Sequence, residues 1–185
     1  NYIVQHSTLV PSYSNFEPRG VNVQVRNPYS TDPRALQRFF YTFTSTERIE
    51  SHFHAVESMD FDVSATDNQW HRIALYFCDW DSAGRGITVE ARDGATNTLL
   101  DSRPLTSYQN GVYLVYRYRG RISFRVRNNN PVATAPTASV SAFLWGGPVT
   151  GGDSVAPSVA ITSPVAGSTV SGTVGITASA LDDIG

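Results

Sequence analysis

The pattern of hydrophobic and polar positions predicts short strands along almost the whole chain. Val21 to Arg26, Met59 to Val63 and Arg121 to Arg127 alternate between apolar and polar residues. A period of two places successive side chains on opposite faces of a strand. The turn signals Asp93-Gly94 and Asn110-Gly111 separate further apolar runs. This spacing predicts an all-β fold, an antiparallel β-sandwich of the jelly-roll type.

Two segments depart from this alternation. Ile73 to Cys78 is apolar throughout, which predicts a central strand covered on both faces. Cys78 is the only cysteine, so it has no intramolecular disulfide partner and is expected to be a small core residue. Thr31 to Gln37 has Pro33 in a position suited to the first residue of a helix, which predicts a single helical turn.

Composition divides the chain into three parts. The predicted sandwich covers residues 1–147 and is followed by a small, polar, glycine-rich linker over residues 148–155. Residues 156–185 contain neither arginine nor an aromatic residue. A segment with so few predicted strands cannot form a closed hydrophobic core, and we therefore expect it not to fold alone.

The net charge and the lengths of the apolar runs argue against two classes of partner, nucleic acids and membranes. The formal net charge is −2, which gives no electrostatic basis for binding nucleic acid. No apolar run approaches the roughly 20 residues of a membrane helix, so we predict no membrane insertion. All 14 basic residues are arginines.

The segment after the central strand carries paired carboxylates and a nearby guanidinium. Asp79 and Asp81 precede a loop that contains Arg85. Two carboxylates in this arrangement can serve glycoside hydrolysis, ligate calcium, or pair with an arginine. Turn formation and pairing with Arg85 are the favoured interpretation. No cofactor is expected, and the alternative is a structural calcium ion at Asp79 and Asp81.

Two other constellations have simple alternatives. His52 and His54 fall on one face of a predicted strand, as in some zinc sites, although solvated or hydrogen-bonded histidines are the favoured interpretation. Alternation also places a set of arginines on the outer face of the sandwich, and these residues either grip an anionic polysaccharide or pair with Glu90, Asp93 and Asp101. The second alternative is favoured for this ladder, which comprises Arg117, Arg119, Arg121, Arg125 and Arg127.

Aromatic residues in predicted loops suggest sugar recognition. An aromatic ring can stack on the face of a pyranose while polar groups bind its hydroxyls. Trp80, Tyr108 and Tyr29 are the predicted stacking residues, and Arg85 and Asp81 are the predicted hydrogen-bonding residues.

Two stretches carry a family resemblance. The segment from His71 to Val89, with Gly84-Arg85-Gly86 in its loop, resembles malectin-like and galactose-binding-like jelly rolls. So does Gly120-Arg121-Ile122-Ser123-Phe124-Arg125-Val126, followed by a last strand that ends near Trp145. The resemblance implies a non-catalytic glycan-binding module, often fused to secreted hydrolases or adhesins.

The C-terminal segment has a resemblance of its own. Ile161-Thr162-Ser163-Pro164 and Gly167-Ser168-Thr169-Val170-Ser171-Gly172 resemble the opening strands of bacterial immunoglobulin-like modules. Together the two resemblances imply an extracellular or cell-surface bacterial protein of several domains. Its expected partners are a polysaccharide or other glycan and the neighbouring domains of the same chain.

The sequence therefore predicts a carbohydrate-binding module without catalytic activity. The alternative is a structural or adhesive module of a surface protein or fibre, assembled by strand exchange. A small hydrolase or lyase ranks last because it depends only on the carboxylates and histidines.

Overall fold

The structure is a computed structural model that describes residues 2–4, 7–38, 47–131, 137–149, 158–165 and 167–181. In these residues the regular secondary structure consists of strands, namely β1 (Tyr2–Val4), β2 (Ser7–Thr8), β3 (Ser14–Arg19), β4 (Asn22–Ser30), β5 (Leu36–Gln37), β6 (Arg48–Ala55), β7 (Ser58–Ala65), β8 (His71–Phe77), β9 (Ile87–Asp93), β10 (Leu99–Leu105), β11 (Val112–Tyr118), β12 (Arg121–Asn128), β13 (Ala138–Val140), β14 (Ala142–Pro148), β15 (Ser158–Ser163) and β16 (Thr177–Leu181). The predicted all-β fold class is confirmed.

Three sheets form the larger part of the molecule. The first has the order β11-β8-β14-β1-β2, the second β10-β9-β12-β7-β3, and the third β13-β6-β4 with β5 attached to β6. Every recorded strand pair is antiparallel. Most connections after β6 pass from one sheet to another, which is the connectivity expected of a jelly-roll sandwich.

The main core lies between these sheets. Phe143 of the first sheet, Phe61 of the second and Phe53 of the third all belong to one buried cluster. The rings of Phe61 and Phe143 have their centroids 4.7 Å apart, and those of Phe53 and Phe61 are 5.4 Å apart. As the alternation predicts, Met59, Phe61 and Val63 all face this core.

The central strand is covered on both faces, as predicted. Ile73, Leu75 and Phe77 pack into the main core. Tyr76 and Cys78 face the other way into a second buried cluster that contains Ile49 and Trp80. The thiol of Cys78 lies 3.6 Å from the Gln109 carbonyl oxygen, and burial raises its pKa to about 11. Cys78 is therefore a core residue, although it lies just beyond the end of β8.

The second cluster depends on a segment whose predicted conformation is wrong. Residues 31–37 do not form a helical turn, and the Asp32 carbonyl instead accepts the Ala35 N–H at 3.0 Å to close a tight turn. The Asp32 carboxylate accepts the Arg34 N–H at 2.8 Å, so the side chain rather than a helix satisfies that donor. β5 then pairs Leu36 with Ile49 of β6.

The ends of two strands, β4 and β14, also differ from those expected. Asn27-Pro28 follows the alternating run and is typical of a strand end, yet β4 continues to Ser30 through two register shifts. Proline is tolerated there because β4 is at the edge of its sheet. Pro148, the first residue of the predicted linker, is the last residue of β14.

The chain divides into two compact units, residues Asn1–Val149 and Thr150–Gly185. Most of the predicted linker, residues 150–155, lies outside the described residues. In the second unit β15 and β16 form a two-stranded antiparallel sheet. Ile161, Val165 and Ile176 are largely exposed in it. Within the described residues this unit therefore has no hydrophobic core comparable to that of the sandwich.

Candidate functional site

The predicted acidic loop is held together by one buried carboxylate. Asp79 accepts the backbone N–H groups of Gly84 and Arg85 at 2.9 and 3.2 Å. The guanidinium of Arg85 contacts both the Asp79 and the Asp81 carboxylates, with one Arg85 Nη2–Asp81 Oδ2 distance of 3.2 Å. The hydrogen bond from Arg85 holds the pKa of the Asp81 carboxyl below its usual range. Arginine pairing, the favoured interpretation, is confirmed.

This pairing leaves the calcium prediction without the geometry that it needs. Asp79 and Asp81 both face Arg85, a fixed positive charge that competes with a cation for the same oxygens. Nowhere in the described ranges do three or more His, Cys, Asp or Glu side chains come together as a metal site. The glycosidase arrangement meets the same obstacle, since both carboxylates are engaged by one guanidinium.

Two of the three predicted stacking residues do not present a ring to solvent, which corrects that prediction. Tyr108 and Trp80 do lie between strands, but they are only 1% and 9% exposed. Tyr108 belongs to the main core and Trp80 to the second cluster, beneath the guanidinium of Arg34, whose Cζ lies 5.6 Å from the Trp80 ring centroid. Both rings support the loops from inside.

The third predicted residue, Tyr29, is 66% exposed. It lies on β4 rather than in a loop, and the Arg38 Cζ sits 5.1 Å from its ring centroid. Its ring is accessible, so its predicted role in stacking stays a prediction.

The two histidines of β6 lie beside the acidic loop. The ring centroids of His52 and His54 are 5.3 Å apart. Burial, reinforced by the neighbouring His54 and by the positive charges of Arg26 and Arg85, lowers the pKa of His52 to about 4. His52 is therefore neutral at physiological pH, and its buried Nδ1 makes no hydrogen bond within the described part of the chain.

An open cleft of about 330 Å³ borders the Trp80 cluster, with which it shares Ala35 and Tyr76. Residues of the 31–37 turn, of β6, of β8 and of the turn before β11 form its walls, namely Pro33, Arg34, Ala35, Leu36, Arg48, Tyr76, Asn110, Gly111 and Tyr113. The sequence reasoning did not select this cleft.

Tyr113 gives the cleft an exposed aromatic surface. The residue is 51% exposed, and its ring stacks on the ring of Tyr76, with centroids 4.5 Å apart and an interplanar angle of 28°. The two residues are directly paired between β11 and β8. The Tyr76 hydroxyl in turn donates to the Arg34 carbonyl oxygen at 2.7 Å. Tyr113 therefore rests on a ring that is itself fixed.

Gly111 is required for this arrangement. A Cβ at this position would come within 2.5 Å of the Tyr76 hydroxyl oxygen, and the backbone φ is +86°. Both the positive φ and the close approach of the Tyr76 ring favour glycine. The Asn110-Gly111 turn signal thus has a specific function, which is to let Tyr76 pass under the turn.

Polar groups surround the Tyr113 ring. Arg34 is locked by its own turn, since its guanidinium donates to the Asp32 carboxylate at 2.6 Å and to the Gln109 carbonyl oxygen at 2.6 Å. Among the described residues Arg48 donates through Nη1 alone, to the Ala35 carbonyl at 2.6 Å, so its Nε and Nη2 can donate to a ligand. The exposed Asn110 adds an amide. Alternation along β11 offered the signal for Tyr113, because it faces away from Val112 and Leu114.

The predicted arginine ladder divides into two groups. On β12 the arginines have acidic partners: Arg121 lies 2.5 Å from Asp62, Arg125 2.7 Å from Asp60, and Arg127 3.2 Å from Glu90. For these three, pairing across strands is confirmed. Of the three acidic residues expected as partners, only Glu90 pairs with an arginine of β12. The other observed partners, Asp60 and Asp62, lie on β7, which is the neighbouring strand. Arg117 and Arg119 instead lie beside Trp70, with their Cζ atoms 6.0 and 5.3 Å from its ring centroid.

Comparison with known proteins relates the two units to different groups. A family model described as "Bacterial Ig domain" matches residues 157–185, in agreement with the resemblance of that segment. No curated protein matches the chain. Among the described residues there is no helix with the length and hydropathy needed to cross a membrane.

Several solved structures are similar to the chain. TmCBM61 in complex with beta-1,4-galactotriose is 15% identical, with 73% of this chain and 88% of that chain covered and a TM-score of 0.37. A family 35 carbohydrate binding module from Clostridium thermocellum is 10% identical, with 69% and 95% covered and a TM-score of 0.33. A carbohydrate binding module of Cellvibrio mixtus lichenase 5A in complex with cellotriose is 8% identical, with 68% and 96% covered and a TM-score of 0.34.

Proposed function

We propose that the sandwich is a carbohydrate-binding module that contacts its glycan in the cleft around Tyr113. The observation that carries this proposal is the half-exposed Tyr113 ring, stacked on Tyr76 at the floor of an open cleft. A pyranose presents a face of C–H groups that can pack on such a ring. Asn110 and Arg48 stand at the edge, where they can bind hydroxyl groups.

The site is built before any ligand arrives, which favours binding. Tyr113 rests on Tyr76, Tyr76 is tied to the Arg34 carbonyl, and Arg34 is held by the Asp32 carboxylate. A ring that is fixed in advance loses little conformational freedom when a sugar stacks on it. In this proposal Trp80 supports the floor of the cleft by packing beneath Arg34.

Replacing Tyr113 by alanine is expected to weaken glycan binding by about tenfold or more, as truncation of a central aromatic contact does. The measurement is affinity electrophoresis or calorimetry with a panel that includes galactan, a β-glucan and dextran. Leu100→Ala is the matched control, since Leu100 is an exposed apolar residue on β10 of the second sheet. Equal affinity of the Tyr113→Ala variant and the parent for every glycan that binds would contradict the site. Absence of binding to the whole panel would count against the function.

Further features of the proposal extend beyond the cleft. A malectin-like relationship, a secreted or cell-surface location and attachment to a larger glycan-active protein remain predictions from the sequence. The bacterial immunoglobulin-like match at residues 157–185 supports a role as one unit among several.

A structural or adhesive module assembled by strand exchange is the second candidate. The observation in its favour is the β15–β16 sheet, where Ile161 on β15 and Val165 and Ile176 beside the two strands are largely exposed. A two-stranded sheet is at best marginally stable alone and gains from a covering partner. If strand exchange operates, sedimentation velocity should show a dimer whose fraction increases with protein concentration. This dimer should be absent when residues 150–185 are deleted. A monomer at all concentrations would argue against this candidate.

A further inference from the structure

The arginines without an acidic partner are concentrated on one surface. Most of the 14 arginines form an ion pair with an Asp or Glu side chain. Among the residues that the structure describes, four form none: Arg48 in the cleft, and Arg72, Arg117 and Arg119 around Trp70. Charge is thus balanced on the second sheet and left unbalanced on the outer face of the first.

Two of these arginines oppose each other directly. Arg117 of β11 and Arg72 of β8 are partners in the antiparallel register, and both side chains are exposed. Like charges directly opposite each other on neighbouring strands are destabilising. On β12 the same fold avoids this, because Asp60 lies directly opposite Arg125 and Asp62 lies diagonally opposite Arg121. An unbalanced pair at Arg72 and Arg117 therefore points to an external anion.

One exposed apolar residue, Val115, lies on β11 between the cleft and this pair. Tyr113, Val115 and Arg117 share one face of β11, and Val115 is 62% exposed. At about 3.3 Å per residue, Tyr113 and Arg117 are about 13 Å apart along the strand. Trp70 stands at the far end, partly exposed, with Arg117 and Arg119 beside its ring. An aromatic residue thus lies at each end of this face, Tyr113 at one end and Trp70 at the other.

We infer that this face binds an extended acidic polysaccharide, with one sugar on Tyr113 and the chain running along β11 to Trp70. The sulfate or carboxylate groups of the chain are bound by Arg72, Arg117 and Arg119. Guanidinium groups suit both anions, because their paired N–H donors match two oxygens of either group. This inference rests on the proposed function and specifies the class of its ligand.

The test measures the affinity of the full chain for matched charged and neutral polymers. The probes are dextran sulfate and polygalacturonate as sulfate and carboxylate sources, with dextran and neutral galactan as uncharged partners. We expect at least one acidic polymer to bind about tenfold or more tightly than the neutral polymers at low salt, with the difference shrinking as salt screens the charges.

The variant R72Q/R117Q/R119Q should lose that difference while still binding neutral sugar at Tyr113. The control R103Q/R121Q/R127Q removes the same amount of charge from exposed positions on the second sheet and should keep the difference. Thermal unfolding of both variants checks that they are folded.

Each other outcome overturns the inference. Equal affinity for acidic and neutral polymers, or equal losses in the two triple variants, would show that this arginine surface does not select anions. Equally tight binding of single-stranded oligothymidylate would show a general polyanion surface rather than a glycan site. If neutral glycans bind and acidic ones gain nothing, the inference fails and the proposed function stands. If no glycan binds, both fail.

Discussion

Replacing Asp79 by alanine is expected to destabilise the sandwich by about 3 kcal/mol, whereas Asp81→Ala is expected to change its stability by less than about 1 kcal/mol. The Asp79 side chain is only 3% exposed, against 38% for Asp81. Asp79 also accepts two backbone N–H groups of its loop, so its loss removes the acceptor of two partly buried hydrogen bonds. Arg85 would still pair with Asp81 in the Asp79→Ala variant and with Asp79 in the Asp81→Ala variant.

The pair of variants is informative because both remove one carboxylate from the same guanidinium. Urea unfolding of the parent and the two variants gives the difference in the free energy of unfolding. Similar losses in the two variants would mean that charge pairing with Arg85, rather than the buried loop contacts of Asp79, carries the effect. The expected contrast would establish Asp79 as a structural residue of the loop that joins β8 to β9.

The arginine ladder shows what alternation can and cannot predict. The period of two correctly placed Arg121, Arg125 and Arg127 outside and Phe124 inside, because this depends only on the strand itself. Which acid faces each arginine depends on the neighbouring strand, which a single sequence does not give. β12 lies between β7 and β9, which carry acidic residues, while β11 is an edge strand whose neighbour carries Arg72.

The aromatic residues illustrate the same limit at the site. Turn composition correctly placed Trp80 and Tyr108 between strands, but it did not indicate which way their rings face. The Tyr108 ring packs into the main core because its segment runs beside the start of the acidic loop. There the Tyr108 carbonyl accepts the Asp79 N–H at 3.1 Å. The apolar run after Asn110-Gly111 predicts a strand that contains Tyr113, but only the pairing of Tyr113 with Tyr76 and the nearby 31–37 turn make it part of a cleft.

Lowering the pH from 6.5 to 4 is expected to reduce the stability of the folded protein by about 3 kcal/mol through His52 alone. Burial lowers the pKa of His52 to about 4 in the folded state, below the ordinary value of 6.5. Between these values the unfolded chain binds a proton that the folded protein excludes. Stability is therefore full above about pH 6.5 and is lost progressively as the pH falls to about 4.

The substitution His52→Gln should flatten this part of the stability curve, because it removes the titrating ring but keeps a neutral polar side chain. Urea unfolding of both proteins at several pH values between 4 and 7 gives the two curves. His54 and the carboxylates titrate in both proteins, so the difference between the curves reports the protonation of His52 together with its charge interaction with His54. The parent should lose about 3 kcal/mol more than the variant over this range, with no further divergence below pH 4. Parallel curves would show that protonated His52 is accommodated beside Arg26 and Arg85, contrary to the burial and charge that surround it.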